Sequence, residues 1–132
     1  MSLTEDYTNH QMISWNGIRI EKAKMIEFCR NHNMISWYIN ERCNFQCSYC
    51  SVWNNKDKQG IKPIDIINLS ESLNNLQKEW IIYITGGEPF LEKNFVDICR
   101  EITKKHYLAF STNLSLSTVF DFADTINPEK TL

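Results

Sequence analysis

The sequence predicts an α/β fold built around parallel strands, and three observations predict it. From residue 35 onward, apolar runs of strand length alternate with amphipathic stretches of helical spacing. Each chemically unusual motif stands directly after one of those strand-like runs: three clustered cysteines, then Gly86-Gly87-Glu88-Pro89, then Ser111-Thr112-Asn113. Sixteen aromatic residues, 12% of the chain, supply enough apolar surface for a packed core and exclude disorder for most of it. Strands alternating with helices imply parallel pairing with right-handed crossovers, in an open sheet or a barrel. In either arrangement the three motifs converge on the carboxyl-end face, where such folds build their sites.

The elements follow in order. Residues 1–11 are polar and predict no regular element. Ile13 to Ile20 alternates around Asn16-Gly17, the strongest short-range hairpin signal. Glu21 to about Asn31 reads as a helix with Met25, Ile26 and Cys29 on one face and Arg30 near its end. The tetrapeptide Met-Ile-Ser-Trp occurs at 12–15 and 34–37, but one recurrence is no repeat architecture. Ile35–Ile39 is strand-like and leads into the cysteines. Residues 52–60 form a polar connection, in which Lys56-Asp57-Lys58 is a solvated charge run. Pro63 starts a helix with Ile66, Leu69, Leu73 and Leu76 on one stripe. Trp80–Ile84 is nearly all apolar, as in a strand covered on both faces. Asn94 is the expected N-cap of a helix through about Lys105, with Phe95, Ile98, Cys99 and Ile102 inward. Tyr107–Phe110 is the third strand of the alternation, and a short helix runs to about Ala123.

Composition narrows the class. No apolar run approaches the roughly 18 residues of a membrane span. The acidic start Met1-Ser-Leu-Thr-Glu-Asp has no basic stretch and no apolar h-region, so no signal peptide is read there and a cytoplasmic location is expected. A net charge of −2 argues against a nucleic-acid partner, which would favour a basic footprint.

Five cysteines, an odd number, make a poor disulfide framework. Cys29 and Cys99 lie on apolar helix faces and read as small core residues. Cys43, Cys47 and Cys50 form C-x3-C-x2-C on one loop. Three chemistries are open to them. Structural zinc normally closes with four ligands, and neither His32 nor His106 lies in a ligand-like motif. An iron–sulfur cluster also normally takes four cysteines, so three would leave one iron open. Cys47 and Cys50 alone form a C-x-x-C redox pair.

C-x3-C-x2-C with Tyr49 just before the last cysteine, followed one βα unit later by Gly86-Gly87-Glu88-Pro89, closely resembles the radical S-adenosylmethionine (radical SAM) superfamily. The resemblance covers residues 35–124, and the Cys-Asn-x-x-Cys loop is most like its peptide-modifying and cofactor-biosynthesis enzymes. It implies that Cys43, Cys47 and Cys50 ligate a [4Fe-4S] cluster whose open iron takes S-adenosylmethionine. Tyr49 would lie by the adenine, and Gly86, Gly87 and Glu88 would receive the methionine ammonium. Asn113 reads two ways: a contact to cofactor or substrate, or a helix N-cap. Phe45 would pack over the cluster. The implied chemistry is reductive cleavage of S-adenosylmethionine to a 5′-deoxyadenosyl radical that abstracts hydrogen from substrate. It needs an external one-electron donor, flavodoxin- or ferredoxin-like, and a peptide or small-molecule substrate. No general acid or base is identifiable.

Length qualifies the resemblance. At about 30 residues for a βαβ unit, residues 35–124 hold three βα units, whereas the superfamily core resembles a partial TIM-type barrel of about six. The expectation is an extension over 1–34 and an incomplete core over 35–132, about half of the barrel. Its third strand would have an open edge, the carboxyl-terminal half would be a missing partner, and solubility alone would suffer. The alternatives are a non-catalytic iron–sulfur or zinc-binding fragment, or a thiol redox module.

Overall fold

A computed structural model of the chain describes residues 12–15, 18–51 and 65–132. The described residues divide into two compact units, within 1–33 and 34–132.

In the first unit, β1 (Met12–Trp15) pairs antiparallel with β2 (Ile18–Glu21), with Trp15 opposite Ile18. This is the expected hairpin; its Asn16-Gly17 turn lies outside the described residues. Helix α1 (Lys22–Asn31) follows. Cys29 is half-buried, but Ile26, expected inward, is exposed. His32 Nδ1 donates to the Phe28 carbonyl at 2.8 Å, and its ring stacks on Phe28.

The second unit is a three-stranded parallel sheet with helices. Strands β3 (Asn33–Asn40), β4 (Trp80–Gly86) and β5 (Tyr107–Phe110) lie side by side in chain order. In the β4–β5 ladder Ile82 stands opposite Leu108 and Ile84 opposite Phe110. The two-residue side-chain period turns Ile35, Trp37, Ile39, Ile82, Ile84, Leu108 and Phe110 to one core. Met34 and Tyr38, one step out of phase on β3, are exposed.

Helices α2 (Ile66–Asn75), α3 (Phe95–Thr103) and α4 (Thr118–Thr125) pack in sequence, α2 on α3 and α3 on α4. Asp65 caps α2 by accepting from the N–H groups of Ile67 and Asn68. Pro63, expected at that start, lies outside the described residues, as does the charge run at 56–58. On α3, Phe95, Ile98, Cys99 and Ile102 follow the 3.6-residue period and are all buried, while Arg100 pairs with Asp97 on the outer side. Asn94 holds the expected cap position. The helix ends at Thr103, close to the expected end near Lys105; turn bonds from the Lys104, Lys105 and His106 N–H groups carry the chain on toward β5, and the Lys105 ammonium bonds the Leu76 carbonyl beyond the end of α2. His106 is fully buried beside it, its Nε2 donating to the Leu73 carbonyl and its Nδ1 accepting from Trp80 N–H. That locks the end of α2 to the start of β4. No described helix is long and apolar enough to cross a membrane.

Two expectations about β5 are corrected. Its edge is not bare: Thr131 bridges Leu108 in parallel, Leu132 N–H donates to the Leu108 carbonyl, and a short turn over Pro128–Lys130 capped by Asn127 brings them there. Lys130 pairs with Glu79 and lies over the Tyr107 ring. Asn113 is not a helix cap, because α4 begins five residues later with Ser117 at its cap. The Asn113 side chain is held elsewhere.

Candidate functional site

Parallel pairing sets the ends of β3, β4 and β5 beside one another, so the loops that follow them meet. The cysteine loop spans residues 41–51, the glycine loop 86–92 and the post-β5 loop 111–117.

The glycines serve close backbone packing. Gly87 N–H donates to Asn40 O and Glu88 N–H to Arg42 O, at 2.9 and 2.7 Å, which prolongs the β3–β4 pairing past the strand ends. A Cβ on Gly87 would lie 1.8 Å from Arg42 O, and one on Gly86 2.5 Å from Asn40 O. Gly86 also has φ +148°, a conformation that side chains disfavour. These contacts hold the root of the cysteine loop against the glycine loop.

Glu88 is 1% exposed, and its carboxylate accepts three hydrogen bonds. Phe90 N–H and the Thr112 hydroxyl donate to Oε1, at 3.1 and 2.7 Å, and Asn113 N–H donates to Oε2 at 2.7 Å. All three donors are neutral. A carboxylate offers about four acceptor sites; among the described residues these three neutral donors are on it, and a buried anion held by neutral donors favours a cation beside it. Asn40, also fully buried, donates from Nδ2 to the Glu88 carbonyl. Pro89-Phe90 then enters a short turn whose Phe90 ring meets Phe95, Phe110 and Phe122 edge-on, with centroids 4.8–5.9 Å apart. The glycine loop thus rests on the core.

Arg42 forms a second tie: its guanidinium bonds Glu92 at 3.0 Å, and Glu92 is 6% exposed. Pairing removes most of the cost of burying that carboxylate. Asn113 forms a third. Its Nδ2 donates to Asn44 Oδ1 at 2.9 Å, inside the cysteine motif. Leu114 beside it has φ +57°, at a cost of roughly 1–2 kcal/mol for a residue with a Cβ.

Cys43, Cys47 and Cys50 are free and half-buried. A turn with Cys50 N–H on the Cys47 carbonyl joins the last two, and Phe45 N–H bonds Cys43 Sγ. Among the described residues, no three His, Cys, Asp or Glu side chains are grouped to hold a metal ion, so the thiols share a loop without closing on a common point. As a donor set, three thiols free of disulfides suit iron–sulfur chemistry. Tyr49 is 91% exposed; a hydrogen bond to Cys47 and the charge of that sulfur hold its phenol above its ordinary range. The phenol of Tyr38, a side chain about half exposed, is raised too, first by the partial loss of water around it and then by Glu41 and Cys50. Phe45 is exposed.

A sequence model of the radical SAM superfamily matches residues 37–129. The chain belongs to the radical SAM superfamily. Members of this superfamily are enzymes that use a [4Fe-4S] cluster and S-adenosylmethionine. The chain is 33% identical over 93 residues to a GTP 3′,8-cyclase of Haemophilus ducreyi, covering 65% of this chain and 27% of that protein. It is 31% identical over 67 residues to an S-adenosylmethionine-dependent nucleotide dehydratase of a Fibrobacter species, covering 46% and 20%. It is 31% identical over 83 residues to a tungsten-containing aldehyde ferredoxin oxidoreductase cofactor-modifying protein of Pyrococcus furiosus, covering 61% and 23%. The chain therefore spans about a quarter of the length of the curated relatives it matches. No solved structure matches it.

Of the expected site residues, the three cysteines, Tyr49, Gly86, Gly87, Glu88 and Asn113, the structure joins Glu88 and Asn113 by a direct hydrogen bond and sets their loops beside the cysteine loop. Sequence reasoning missed Asn40, Arg42, Asn44, Glu92, Thr112 and Ser115, which tie the loops together. Arg42 and Asn44 flank the first cysteine, but their partners lie some 50 and 70 residues on, beyond any local pattern.

Proposed function

We propose that this chain is the cluster-bearing part of a radical SAM enzyme core. In this reading Cys43, Cys47 and Cys50 hold a [4Fe-4S] cluster, Gly86–Glu88 receives the methionine end of S-adenosylmethionine, and Tyr49 and Asn113 border the rest of the cofactor. Together, cluster and cofactor supply reductive formation of a 5′-deoxyadenosyl radical that abstracts hydrogen from a substrate. The chain's own residues orient and enclose. Gly87 and Arg42 hold the root of the cysteine loop, and the Glu88 carboxylate offers an acceptor site to the ammonium. The Phe90 cluster closes the floor against water.

The observation that carries the reading is the buried Glu88 carboxylate, which binds the post-β5 loop at Thr112 and Asn113 and, among the described residues, is held by neutral donors. Sequential strand order with helices packed in series supports a barrel wall, about half of a partial (β/α)6 barrel over 35–132, with 1–34 as an extension. A one-electron donor of flavodoxin or ferredoxin type, a peptide or small-molecule substrate, the rest of the barrel and a cytoplasmic setting belong to the same proposal.

Anaerobic reconstitution of the chain with iron and sulfide tests it. About four irons per chain, an electron paramagnetic resonance signal perturbed by S-adenosylmethionine, and loss of both in Cys43→Ala are expected. Zinc uptake without iron, or a cluster that survives Cys43→Ala, overturns it.

A further inference from the structure

A closed ring of side-chain hydrogen bonds joins the cysteine loop to the post-β5 loop. Asn113 Nδ2 donates to Asn44 Oδ1 at 2.9 Å, Asn44 Nδ2 donates to Ser115 Oγ at 2.7 Å, and Ser115 Oγ donates to Asn113 Oδ1 at 2.6 Å. Each member both donates and accepts, so the bonds run one way round the ring and polarise one another. Turning over one amide alone would set oxygen against oxygen or N–H against N–H, and turning over both would reverse the ring but lose the Ser115 N–H bond to Asn113 Oδ1, so ring and backbone bond together specify one orientation. The left-handed Leu114 brings the chain back so that Ser115 N–H also reaches Asn113 Oδ1. Asn113 is anchored from behind by its own N–H on the buried Glu88. Asn44 adjoins Cys43.

We infer that Asn44, Asn113 and Ser115 form a clasp that positions the cysteine loop, with Asn44 and Asn113 as positioning residues for Cys43. Asn44 and Ser115 are exposed, so the ring adds little to the packed core and acts on the loop itself. Through Asn113 the clasp links the thiol loop to the Glu88 carboxylate, so one residue, by its side chain on one side and its backbone N–H on the other, sets the spacing between the two parts of the site. That the clasp serves a cluster rests on the function proposed above; the clasp itself is a property of the metal-free chain.

The test is the alkylation rate of Cys43 by iodoacetamide in the reduced, metal-free chain, resolved by peptide mass spectrometry with Cys99 as the internal reference for folding. Asn44→Ala and Asn113→Ala are each expected to raise the Cys43 rate about five-fold, the weight of one net hydrogen bond. The double variant should rise no further than either single one, because both break the same ring. Asn113→Asp, which keeps the acceptor for Ser115 and loses the donor to Asn44, should behave like Asn113→Ala. Single-variant rates unchanged within error, or effects that multiply in the double variant, overturn the clasp. Should Cys99 labelling rise in an alanine variant, that variant has unfolded, and the near-isosteric Asn44→Asp and Asn113→Asp decide by the same criterion. Iron uptake measured in parallel separates the two readings: coupled rates without iron uptake retain the clasp and reject the cluster.

Discussion

The core beneath α3 and the loop face at the strand ends both contain cysteine, and the environment makes them different reagents. Cys99 is fully buried among Ile98, Ile102 and Leu108, where burial pushes its thiol far above the ordinary thiol range. Cys43, Cys47 and Cys50 are half-buried on a loop held by hydrogen bonds and by the Arg42–Glu92 ion pair. Apolar contact holds the first region, and directed polar bonds between distant residues hold the second. A core tolerates no exposed chemistry, whereas a face built of polar ties can keep reactive groups accessible while fixing their position.

The sharpest way to break this comparison is thiol reactivity. Alkylation of Cys99 in the folded chain is expected to run at least about a thousand-fold slower than that of the loop thiols, because it requires unfolding. Comparable rates would show that α3 is not packed as described. Next in size, Phe95→Ala, at a ring 1% exposed and in edge contact with Phe90 and Phe110, should cost about 3–5 kcal/mol in denaturant unfolding. Tyr49→Ala on the loop face should stay within about 0.5 kcal/mol.

Gly87→Ala probes the border between the regions. A Cβ 1.8 Å from Arg42 O cannot be accommodated without moving the backbone, so a loss of about 1–3 kcal/mol or more is expected by the same measurement. A neutral result would mean that the two loops are not in contact. The smallest effect concerns the side of α3 that faces α2. Hydrogen bonds from Lys104 and then Ser70 hold the Glu101 carboxyl below its ordinary value of 4.5. A lowered folded value stabilises the protein above that pH, and the contribution fades as pH falls through the folded value. Because Lys104 is exposed, Glu101→Gln should cost only a few tenths of a kcal/mol at neutral pH, and the difference should vanish in acid.

Local pattern made much of the fold legible. The run Trp80–Ile84, the stripe Phe95–Ile98–Cys99–Ile102 and the alternation in β3 are periodic signals, and each became the expected element. Boundaries were less legible. Helix α3 ends at Thr103, two residues short of the expected position, with turn bonds running on to His106, and α2 takes its cap from Asp65. The Thr131 bridge on β5 had no local signal, since pairing depends on the neighbouring strand.

The sequence by itself determined the alternation of strand and helix, the clustering of three thiols on one loop, and the placement of each unusual motif after a strand. Membership of the superfamily is written in those motifs. Only the tertiary structure decided what Gly87, Glu88 and Asn113 do. Gly87 is needed because Arg42 lies against it, Glu88 because Thr112 and Asn113 donate to it, and Asn113 because Asn44 faces it. The reason is physical. Periodicity and spacing report interactions within a few residues, whereas these contacts join residues 24 to 69 positions apart and exist only once the strands lie parallel and in register.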